Sequence, residues 1–83
     1  MRIYMQTAPE EERTPRFYHL FLQQDLIHGW TLVKENGQQG SPGKVNKQHF
    51  ESWDDALEAM MLARDRQLNR GFNVVFVQGQ EHS

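Results

Sequence analysis

Six basic side chains, Lys34, Lys44, Lys47, Arg64, Arg66 and Arg70, have the type and grouping to pair with phosphate. The three lysines surround a glycine-rich segment, and the three arginines crowd one later stretch. If folding brought both groups to one face, four phosphate contacts would give a salt slope of about −3.6 and weak binding at physiological salt. The competing reading makes them solvated charges, some paired with Glu35 or Asp65 and each worth little. A formal net charge of −2 argues against a strongly basic nucleic-acid protein. The acidic residues gather in two knots, Glu10 to Glu12 and Glu51, Asp54, Asp55 and Glu58, so charge is partitioned along the chain.

Other chemistries fail on spacing. His19, His28, His49 and His82 are too far apart for one helical face or one zinc loop, and no metal site is expected. Gly37 to Lys44 could cradle an anion, but the first glycine of a P-loop falls on Gln38 and its Ser or Thr on Val45. A turn between strands explains that segment better. Ser52 reads as a helix cap, and Asp54 and Asp55 point about 100° apart in a first helical turn, where the helix dipole favours them. No nucleophile has an oriented base, so neither an enzyme nor a cofactor is expected, and no small-molecule substrate is evident. Trp53, Met60 and Met61 suggest a ligand groove less than core packing, with Met61 the residue off the apolar stripe.

The elements follow from pattern. Arg2–Gln6 alternates as a strand, and residues 7–15 form a solvated loop with two prolines and three glutamates. Phe17–Leu22 and Trp30–Val33 read as antiparallel strands, with Asn36-Gly37 opening a long loop through Gly43. Val45–Phe50 is polar enough for an edge strand. Ser52 caps a helix over about Trp53–Arg70, roughly 27 Å long, whose stripe is Trp53, Ala56, Leu57, Met60, Ala63 and Leu68. Phe72–Val77 has the density of a central strand, and residues 78–83 form a flexible tail. The expectation is a single α+β domain, an antiparallel β-sheet of four to five strands with one amphipathic helix packed on it, with a core of about 16–77.

At 83 residues and 37% hydrophobic content the chain has one core, helped by nine aromatic side chains. Without cysteine, and with neither a signal-like run nor a membrane span, a cytoplasmic setting and no membrane partner are expected.

From Phe17 onward the order of features is specific: an aromatic and leucine strand, Gly29-Trp30-Thr31-Leu32-Val33-Lys34-Glu35, Gly40-Ser41-Pro42-Gly43-Lys44-Val45, Phe50, a capped helix with Asp55-Ala56-Leu57, then Arg70-Gly71-Phe72. This pattern, over about Arg16–Val77, resembles a WGR domain. The resemblance implies an antiparallel sheet flanked by one helix, no catalysis, and the nucleic-acid role that such domains have inside poly(ADP-ribose) polymerases, where they help to sense DNA breaks.

The name-giving Trp-Gly-Arg falls on Asn36, Gly37 and Gln38, so only the glycine is kept. An arginine there pairs bidentately with phosphate, whereas Gln38 is a neutral amide. Gln67 and Asn69 stand where the family usually has basic residues near the helix end. Two readings stay open. One is a WGR-like module binding DNA weakly and salt-dependently through Lys34, Gln38, Lys44, Lys47, Arg64, Arg66 and Arg70. The other is a protein-protein interaction module that has lost nucleic-acid contacts.

Overall fold

The computed structural model describes residues 1–79. Its elements, in chain order, are β1 (Arg2–Thr7), β2 (Arg16–Gln24), β3 (Trp30–Gln38), β4 (Lys44–Phe50), α1 (Trp53–Asn69) and β5 (Phe72–Gln78). Five antiparallel strands form one open sheet in the order β4-β3-β2-β1-β5, with a single helix packed on it, an α+β fold. Hairpins join β1 through β4 as a meander. Helix α1 then carries the chain back across the sheet, so that β5 docks beside β1 at the opposite edge.

Strand alternation divides the side chains between two faces. Ile3, Met5, Leu20, Leu22 and Leu32 lie under the helix and pack with Ala56, Met60, Ala63 and Phe72 in one buried cluster. The helix begins where Ser52, in extended backbone, accepts from the Asp55 N–H at 3.1 Å, with Asp54 and Asp55 in the first turn. Trp53 meets Trp30 edge to face at 4.8 Å and anchors this end over β3. At the other end the Arg70 N–H donates to the Gln67 carbonyl, and Gly71, at φ +97°, turns the chain into β5. The helix end therefore lies beside Phe72, Tyr18 and the loop after β1.

Several expectations need correcting. Strand β3 runs through Asn36-Gly37-Gln38, and Gly37 pairs with Phe17 rather than opening the turn. The positive φ belongs to Gly40. Gly37 and Gly43 are small because the returning chain crosses tightly: a Cβ on Gly43 would lie 2.8 Å from the Asn36 carbonyl oxygen and 2.9 Å from the Phe17 ring. Strand β5 is an edge, not a centre, with Val74, Val75, Phe76 and Val77 all exposed. Among its inward positions α1 buries Gln67, while Leu68 is 42% exposed. Thr7 and Gln78 are strand residues rather than loop and tail, and residues 80–83 of the expected tail lie outside the described residues. Among the described residues no helix is long and apolar enough to cross a membrane.

Candidate nucleic-acid interface

The sheet face turned away from α1 carries rings. In β2, period-two alternation sends Tyr18, Leu20 and Leu22 toward the helix and Phe17, His19 and Phe21 to the open side. Register places Tyr4 between His19 on β2 and Phe76 on β5. A slip between Tyr4 and Met5, leaving Val75 as the extra residue, keeps Phe76 on this face. The rings are contiguous. Tyr4 stacks on Phe17 at 6.3 Å and Phe76 at 6.1 Å, meets His19 edge on at 5.8 Å, and His19 lies 5.0 Å from Phe21. The Arg2 guanidinium sits 5.3 Å over Phe21, and Lys47 lies further along the same row, opposite Val33.

Polar groups frame the rings. Gln39, from the loop after β3, donates to the Tyr4 hydroxyl at 2.8 Å and to Gln6 at 3.0 Å, fixing one end of the stripe. His19 points Nδ1 toward Glu35 at 3.7 Å, while its buried Nε2 has no partner. Desolvation and, next, the positive charge of Arg2 lower the His19 pKa below its ordinary value, with Glu35 opposing. At the far corner desolvation raises the Asp25 pKa. The His49 Nδ1 at 2.6 Å, the Ile27 N–H and the Thr31 hydroxyl outweigh it, so the carboxyl titrates below its usual range. Among the described residues neither Arg2 nor Lys47 has an ion pair.

The basic residues singled out in the sequence do not form one patch. Lys34 pairs with Leu20 and Asn46, and Lys44 with Asn36, which puts both on the helix side of the sheet, whereas Lys47 faces the open side. Gln38, opposite Arg16, is exposed at the end of β3. Arg64 is bound to Asp65 through two nitrogens at 2.8 and 3.0 Å. Among the described residues Lys34, Lys44, Lys47, Arg66 and Arg70 have no ion pair. Of the motif positions, Gly37 backs the Phe17 ring, while Asn36 lines a cleft with Arg16 and Arg70 at the helix end. Sequence reasoning missed Arg2, Tyr4, Phe17, His19, Phe21 and Phe76. The signal was present in β2, where every second residue from Phe17 to Phe21 is a ring, but the intervening apolar residues masked it.

No protein-family model, curated protein or solved structure matches the chain.

Proposed function

We propose that this chain is a non-catalytic binding module, WGR-like in its order of features, that takes single-stranded nucleic acid, DNA in the first instance, on the open sheet face. The observation that carries this reading is the contiguous row of Phe76, Tyr4, Phe17, His19 and Phe21 on the side the helix leaves uncovered. An aromatic platform stacks bases without regard to sequence, each base contributing about 1–3 kcal/mol. Arg2 and Lys47 supply two phosphate contacts beside the rings, for a salt slope of roughly −1.4 on a single strand. Binding is therefore weak and governed more by stacking than by charge.

Titration of labelled single-stranded and duplex oligonucleotides at ~50 and ~200 mM salt tests it, with an expected loss of about sevenfold between the two salts. Duplex should bind more weakly, because its bases are already stacked on one another. Absence of single-strand binding at the lower salt removes the proposal.

A second reading rests on β5. Val74, Val75, Phe76 and Val77 lie exposed on an edge strand whose outer backbone groups have no strand beside them among the described residues, the arrangement that accepts an extended segment of another protein. Binding of an extended peptide that leaves the His19 and Phe21 resonances unmoved while shifting those of Val74 to Val77 would favour it.

A further inference from the structure

At the end of the molecule where α1 stops, a cleft of about 430 Å³ lies between the loop after β1, the start of β2, the end of β3 and the first residue of β5. It lies within the size range of small-molecule sites. Arg13, Arg16 and Arg70 reach it from three different segments, and Glu10, 4.0 Å from Arg13, is the one carboxylate among its lining residues. The lining is therefore cationic. The carboxyl end of α1 contributes partial negative charge there, which Arg70 at the cap position offsets.

The second observation is Gln67. It occupies an inward position of the helix, is 4% exposed, and lines the cleft, yet its side-chain amide has no hydrogen-bond partner among the described residues. With no partner among the described residues, and not sealed in the core, the amide opens on the cleft and is available to whatever occupies it. Asn36 brings a second amide to the same walls. Tyr18, edge to face with Phe72 at 5.9 Å, gives the cleft an aromatic floor.

We infer that this cleft binds a small phosphate monoester, its phosphate held by Arg13, Arg16 and Arg70 and its polar body by the amides of Gln67 and Asn36. Guanidinium groups approaching from separate segments suit a tetrahedral oxyanion with several acceptor oxygens. Two neutral amides suit a ligand that carries hydroxyl or carbonyl groups beyond the phosphate. The site uses none of the open-face rings and stands whether or not those rings bind nucleic acid.

The test is an amide-resolved NMR titration of the full chain with adenosine monophosphate, inorganic phosphate, adenosine and acetate in parallel. The two phosphate compounds should shift Thr7, Arg16, Asn36 and Gly71 saturably, the monoester more tightly, while adenosine and acetate leave them in place. Arg16→Gln and Gln67→Leu should each weaken the monoester roughly tenfold. Glu58→Gln, at an exposed position of α1 away from the cleft, should leave its affinity unchanged. Absence of saturable shifts with either phosphate compound up to about 10 mM overturns the inference. So does an affinity that survives both cleft substitutions in variants whose spectra remain folded.

Discussion

The two faces of this sheet are both rich in apolar residues but are built from different kinds. Under the helix the strands present Ile3, Met5, Leu20, Leu22 and Leu32, each at most 6% exposed. On the other side they present Tyr4, Phe17, His19, Phe21 and Phe76, none of them fully buried. An antiparallel sheet covered on one side ordinarily turns a polar face to water. Here aliphatic side chains fill the space against α1, while on the side the helix leaves uncovered the rings of Tyr4, Phe17, His19 and Phe21 lie part-buried against one another, with Val33 buried in the same row as Phe21. Burial accounts for the first set. The second gains about 0.5–1.5 kcal/mol per ring pair from mutual contact, which steadies the sheet. These rings are the ones proposed to stack on bases.

The largest effect should come from the covered side. Met60→Ala opens a cavity at the centre of the cluster and should cost about 2–5 kcal/mol in denaturant unfolding, with little change in oligonucleotide affinity per folded molecule. Tyr4→Ala should do the reverse, weakening single-strand affinity by about 5- to 150-fold while costing less stability than Met60→Ala. If Tyr4→Ala proves the more destabilising and leaves affinity intact, the rings are packing residues and the contrast between the faces fails.

Gln67→Leu probes the polar exception in the covered face. An apolar side chain of similar size at a position only 4% exposed should raise stability by up to about 1 kcal/mol, read as a higher urea midpoint at unchanged slope. The smallest effect concerns His19. Its folded pKa lies below the ordinary 6.5, so the unfolded chain binds the proton more readily. Stability from this group is complete above the ordinary value and declines as pH falls through it toward the folded value. Urea midpoints at about pH 8 and about pH 5 should differ in that direction, and His19→Phe should flatten the difference. The Asp25 contribution is lost only in a lower window, as pH falls below its ordinary 3.8, so the two groups separate on the pH axis.

The architecture was legible because capping, periodicity and turn chemistry agreed. Ser52 marks the helix start, Gly71 its end, and the polar strand is an edge. Pairing order was not legible. Phe72 to Val77 has the composition of a central strand, yet the return of α1 across the sheet leaves it with β1 as its single neighbour, and composition carries no record of that path. Asn36-Gly37 has turn chemistry, but nine consecutive pairings with β2 keep β3 extended to Gln38. The basic residues were readable as types but not as a surface, because one step of register separates Lys34 from Lys47 across the thickness of the sheet. Arg13 and Arg16 join Arg70 only because the loop after β1 folds over the helix end, a long-range event without a local signature.

The position of β1 between β2 and β5 also shapes how the molecule is made. The meander can assemble from neighbouring segments, but Tyr4 meets Phe76 only once β2, β3, β4 and α1, which lie between them, have been made. Until then one margin of β1 lies bare, a site where a nascent molecule is prone to pair with the wrong neighbour.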